Sequence, residues 1–150
     1  MKATDITQKT ILLAEDDDND VELTLAALEE YNLANKVVVA RDGAEALDYL
    51  YRRGRFAERP AEHPVVVLLD LKMPKVNGLE VLRQVKSDPA LKTIPFVVLT
   101  SSRQEQDVIE SYDLGVNAYV VKPVAFDQFM AVVKQLGLFW VLTNQVPQRA

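Results

Sequence analysis

Short runs of branched apolar residues alternate along this chain with segments whose apolar positions recur every three or four residues. The runs are ILLA (11–14), KVVVA (36–40), VVVLL (65–69), IPFVVLT (94–100) and AYVV (118–121). Their length and β-branched content predict buried strands. Between them Val21, Leu25 and Leu28 share one helical face, as do Leu47, Leu50 and Tyr51. Leu79, Leu82 and Val85 repeat the pattern, and so do Phe126, Phe129, Met130 and Val133. Asp42 stands three residues before Glu45, and Ser102 three before Glu105, so both pairs read as capping boxes. Gly115 sits where the helix before the last run should end.

Strands that alternate with helices in this way predict an α/β fold with a parallel sheet covered on both faces. The runs are continuous rather than alternating, as burial on both faces requires. The loop GRFAERPAEHP (54–64) is longer than the usual connection. A polar N-terminal tail (1–9) precedes the first run, and an extension follows the fifth helix.

Composition narrows the function. A chain of 150 residues fits one domain with one core. A net charge of −5 argues against nucleic acid as the main partner, since phosphate binding wants a basic face. No apolar run approaches the roughly 18 residues a membrane span needs. The opening MKATDITQKT lacks the apolar centre of a signal peptide. With no cysteine there is neither a disulfide framework nor a thiolate metal site. A reduced, cytoplasmic protein fits all of this.

The chemistry is expected beyond the carboxyl ends of the strands, where open α/β sheets bind ligands. The first run is followed by Glu15, Asp16, Asp17 and Asp18, the third by Asp70, the fourth by Thr100 and Ser101, the fifth by Lys122 and Pro123. Two like charges about 4 Å apart repel by roughly 4 kcal/mol at an effective dielectric near 20. Converging Glu15, Asp16 and Asp70 would therefore need a cation or raised pKa values. Mg²⁺ suits such oxygen ligands, and Lys122 could neutralise the rest. Taken alone, the acids could be a solvated helix start, Thr100 a cap and Lys122 a surface lysine. Together they are arranged to accept a phosphoryl group on an aspartate, with metal, lysine and hydroxyl stabilising the charge.

The segments ILLAED, VVVLLDLKMPKVNG, IPFVVLTS and NAYVVKP, in this order, resemble the response-regulator receiver domains of the CheY-like family over residues 10–138. That resemblance implies a flavodoxin-like (βα)5 three-layer sandwich with sheet order 2-1-3-4-5. It implies Asp70 as phosphoacceptor, Asp16 as direct Mg²⁺ ligand and Glu15 as an acid acting through metal-bound water. It further implies that Lys72 offers its backbone carbonyl to the metal, that Thr100 and Lys122 are the switch hydroxyl and phosphate-binding lysine, and that Tyr119 is the aromatic that turns inward on activation. A cis Lys122–Pro123 bond is expected as well. Lys72 departs from the asparagine or methionine often found two residues past the phosphoacceptor.

The long loop, the stretch SDPALKTIPFVVLTSS and the aromatic tail LGLFWVLTNQVP are similar to stand-alone regulators paired with bacterial phytochrome histidine kinases. This implies a sensor histidine kinase as partner. The extension 139–150 is too short for an effector domain, and none is expected there. Leu136, Phe139, Trp140 and Leu142 are more apolar than a free terminus tolerates, and a symmetric homodimer through them is expected; packing on the chain's own domain is the alternative. An aspartate-nucleophile phosphatase of the haloacid type would want a second acid where Lys72 stands. A flavodoxin-like cofactor binder would want a phosphate-cradling loop where EDDDND stands, and a purely structural interaction domain would bind no divalent metal. The lone His63 reads as a surface residue.

Overall fold

Every strand of the sheet is parallel to its neighbours. The computed structural model describes residues 10–30, 36–100, 104–122 and 126–136. Its strands are β1 (Thr10–Ala14), β2 (Lys36–Ala40), β3 (Val66–Asp70), β4 (Phe96–Thr100) and β5 (Ala118–Val121). They lie in the order β2-β1-β3-β4-β5, the expected flavodoxin-like arrangement. The helices are α1 (Asp18–Glu30), α2 (Gly43–Tyr51), α3 (Gly78–Lys86), α4 (Glu105–Asp113) and α5 (Phe126–Gln135). Register places Ala14 beside Leu69 and Asp70 beside Leu99, so the carboxyl ends of the central strands finish together.

Alternate residues of each strand feed two cores, one on each face. Leu12, Val67, Leu69, Phe96 and Val98 pack with Leu47 and Leu50 of α2 and with Val81, Leu82 and Val85 of α3. Ile11, Leu13, Val66, Leu68, Val97 and Leu99 pack with Val21 and Leu28 of α1 and Phe129 of α5. The central β1 and β3 are buried on both faces. The edge strand β2 is only half covered, because it has a neighbour on one side alone.

Local chemistry sets the helix ends. Asp42 caps α2 by accepting from the Glu45 N–H at 2.7 Å. Glu45 in turn accepts from the Arg41 N–H, not from Asp42, so the capping box closes one residue further out. Of the box expected at Ser102 and Glu105, Ser102 lies outside the described residues. Glu105 is the first residue of α4, not the third, and Gln104 holds the cap position without a capping hydrogen bond from its side chain; an acid in the first turn is favoured at either place. Asn77 caps α3 through the Glu80 N–H at 3.0 Å. At the far end of α4, Gly115 adopts φ +88° and passes its N–H to the Tyr112 carbonyl, while Val116 bonds back to Ser111. This Schellman closure is the stop that Gly115 predicts. The loop after α2 contains a 3-10 turn (Gly54–Phe56) whose Phe56 ring packs edge-on against Tyr49 at 5.0 Å.

Candidate functional site

β3 delivers Asp70 to the sheet edge as its own last residue, 6 % exposed. Gly78 makes that placement compatible with a close-packed α3. A Cβ there would lie 2.4 Å from the Asp70 carbonyl oxygen, and the Gly78 N–H binds the Leu71 carbonyl at 2.9 Å. The turn between them puts Lys75 in the left-handed region at φ 66°.

Glu15 follows β1 directly and is 1 % exposed; Asp16, one residue on, faces solvent. Carboxylate oxygens of Glu15, Asp16 and Asp70 all lie within 4.8 Å of one another. From the end of β5, Lys122 enters the same cluster with its side chain 8 % exposed. Its Nζ donates to Glu15 Oε1 at 2.8 Å and to Asp20 Oδ2 at 2.6 Å, and stands 3.9 Å from Asp70 Oδ1.

The protonation of Asp70 registers this crowding. Burial, then the negative charge of Glu15, push its carboxyl up to about 7, against the opposing pull of Lys122 and a hydrogen bond from the Lys72 backbone N–H. Lys122 moves the other way. Burial alone would lower it, but the hydrogen bonds to Asp20 and Glu15 and the field of Asp70 outweigh that, so the ammonium is held above its ordinary value. Three carboxylates therefore meet one buried cation, and a fourth, Asp16, stands beside two of them. The donor set fits a divalent metal, since a hard cation takes carboxylate oxygens and would offset the burial and like-charge repulsion that raise the Asp70 carboxyl.

Beside the cluster runs a groove of about 430 Å³ bounded by Asp16, Lys72, Met73, Pro74 and Asn77. The Lys72 side chain is exposed there. Tyr119 of β5 is half-buried on the α3 side of the sheet, with its ring 6.5 Å from that of Tyr112 on α4. Thr100 ends β4 beside Val121, but its side chain lies outside the described structure, as do Ser101 and the Lys122–Pro123 bond. Leu136 packs partly buried against the α1–α5 core; Phe139, Trp140 and Leu142 lie outside the described residues. His63 is exposed, at the opposite end of the molecule.

Sequence reading missed Asp20. It falls in the first turn of α1, four residues after Asp16, a spacing that returns it to the same side as the strand end.

The sequence pattern of the response regulator receiver domain matches residues 11–134. The chain belongs to that family. The receiver is 39 % identical to response regulator Rcp1 of Synechocystis sp. over 139 residues, 93 % of each chain. It shares 60 % identity with the bacteriophytochrome response regulator AtBRR, whose structure superposes with a TM-score of 0.83 over 93 % of this chain and 99 % of that one. The Mn²⁺-bound form of Rcp1 superposes with a TM-score of 0.75 at 38 % identity, over 93 % and 99 %. As a response regulator receiver, the chain is a signal-transduction module homologous to phytochrome response regulators. Among the described residues no helix is long and apolar enough to cross a membrane.

Proposed function

We propose that this receiver takes a phosphoryl group onto Asp70 from the phosphohistidine of a sensor kinase, and that the kinase is a bacterial phytochrome. The pairing is supported by the 60 % identity to a bacteriophytochrome response regulator. The observation that carries the chemistry is the excess of carboxylates around Lys122 at a strand end. An Asp70 Oδ atom forms a bond to phosphorus as the bond from phosphorus to the imidazole nitrogen breaks, and that nitrogen keeps the electron pair. Mg²⁺, when bound by Glu15, Asp16, Asp70 and the Lys72 carbonyl, supplies the positive charge that lets carboxylates and phosphoryl oxygens share the site. Lys122 gives the phosphoryl group its remaining cationic contact. The receiver thus catalyses its own phosphorylation and dephosphorylation without turning over a separate substrate.

Thr100 reports the event. Its hydroxyl gains a phosphoryl oxygen as acceptor, and Tyr119 fills the space it leaves. A shift from 1:99 to 99:1 between two states needs about 5.5 kcal/mol, which a few charge-assisted hydrogen bonds at roughly 1.5–3 kcal/mol each can supply. Output is protein contact in the cytoplasm, and the apolar residues Leu136, Phe139, Trp140 and Leu142 form a symmetric dimer surface.

Incubation with acetyl phosphate and Mg²⁺ followed by intact mass tests the reading. Wild type gains a phosphoryl adduct and Asp70→Asn gains none; an unmodified wild type would overturn it. If Thr100→Ala keeps a phosphorylation-dependent output, the switch is wrong while the phosphoacceptor stands.

A further inference from the structure

Asp20 makes the shortest contact to Lys122, 2.6 Å, yet it is not among the three acids whose oxygens converge. Its place is fixed from its own side: the Asp20 N–H donates to Asp17 Oδ1 at 3.0 Å, and Asp17 accepts the first backbone bond of α1. An ammonium has three protons to donate. Lys122 directs two of them to Glu15 and Asp20, and Asp70 at 3.9 Å is beyond hydrogen-bonding reach. So the cation needed by an incoming phosphoryl group is already neutralised, by a carboxylate that is itself one-third exposed.

We infer that Asp20 is a positioning residue that sets the balance of the site between cation and anion. It holds Lys122 toward α1 and adds negative charge, which favours a divalent metal and disfavours the phosphoryl group. The inference rests on the proposed receiver chemistry. It also requires one residue to act with opposite sign on two ligands, which loss of packing or of fold cannot do.

The test is calorimetric titration of the intact chain, first with Mg²⁺ alone and then with beryllofluoride, a phosphoryl mimic, at saturating Mg²⁺. Removing one charge at this range should change each affinity about three- to tenfold. Asp20→Asn should bind Mg²⁺ more weakly and beryllofluoride more tightly, and Asp20→Glu, which restores the charge, should bring both back toward wild type. Asp20→Ser carries the same expectation should the Asn variant melt early. If both ligands weaken together, Asp20 merely holds the lysine in place and the inference falls. If neither moves, the ion pair sets nothing and it falls as well. A wild type that ignores beryllofluoride would instead overturn the phosphoryl chemistry beneath it.

Discussion

The two ends of the same strands handle buried charge in opposite ways. At the amino end, the loop after α2 folds Arg59 against Tyr49. Its guanidinium lies 4.2 Å from the ring centroid and donates to the carbonyls of Tyr49, Pro60 and Glu62. That end also holds the roomier cavity, about 610 Å³, lined in part by Thr10, Lys36 and Val65 at the strand starts. At the carboxyl end the groove is smaller, but three carboxylates converge and Asp70 is driven up to about 7. A cation resting on neutral carbonyls and an aromatic face is largely settled, with one buried nitrogen, Nη2, left without a hydrogen-bond partner. Like charges forced together at the ends of β1 and β3 are not settled, and they mark where a ligand belongs. Volume points to one end of this molecule; electrostatic conflict points to the other.

The sharpest way to break the contrast is to remove each end's cation. Lys122→Met leaves Glu15 and Asp20 without their shared donor, and unfolding in urea with EDTA at pH 8 should show a loss of about 3 kcal/mol. Arg59→Met gives up hydrogen bonds to neutral carbonyls and one ring contact, and should cost about 1–2 kcal/mol. Mg²⁺ should restore much of the first loss and none of the second. Equal losses with equal indifference to Mg²⁺ would erase the distinction between the two ends.

Next in size is the packing that brings Asp70 to its place. In Gly78→Ala the new methyl meets the Asp70 carbonyl oxygen and the Leu71 Cα, both backbone atoms that cannot rotate away. We expect about 2–3 kcal/mol of destabilisation, as for overpacking of a tight interior. A neutral result would mean that α3 can step back from β3 without cost.

The third effect is a pH dependence confined to the carboxyl end. Asp70 titrates near 7 in the folded protein against an ordinary 3.8, so between these values the folded state holds a proton that the unfolded state has lost. Stability of the metal-free protein therefore falls as pH rises from about 4 to about 7, by about 1–3 kcal/mol from this group, and levels off above. Asp70→Asn should flatten that slope, and saturating Mg²⁺ should reduce it. An unchanged slope in the variant would assign the titration to another group.

The same contrast explains what could be read before the fold was known. The alternation of strands and helices, the convergence of Glu15, Asp16, Asp70 and Lys122, and the stop at Gly115 follow from short-range patterns: strand-length runs, charged residues at strand ends, a glycine after a helix. The strand order comes with the family resemblance. Asp20 was hidden because its role depends on which way α1 leaves the sheet, and one acid among six polar residues carries no mark of its partner 102 positions away. The start of α4 differs from the sequence expectation because an acid serves equally well in the first or third helical position. The arrangement of Arg59 was illegible for a similar reason. Backbone carbonyls take the protons of its Nε and Nη1, and no sequence pattern distinguishes one carbonyl from another.

The smallest effects lie at the caps that frame the carboxyl end. Asp42 and Asn77 each accept one backbone N–H in the first turn of a helix, at 2.7 and 3.0 Å. Substitution of either by alanine should cost about 1 kcal/mol in urea unfolding, the ordinary worth of such a cap. Asp42 also faces Lys75 at 3.5 Å, but that lysine is 70 % exposed, so the ion pair should add little. The prediction that separates the two concerns the site. Asn77 borders the groove beside Asp16 and Lys72, whereas Asp42 caps the helix that follows β2 at the edge of the sheet. Asn77→Ala should therefore alter Mg²⁺ affinity in addition to its stability cost, and Asp42→Ala should change stability alone. Equal effects of the two variants on Mg²⁺ binding would mean that the groove does not sense its own helix cap.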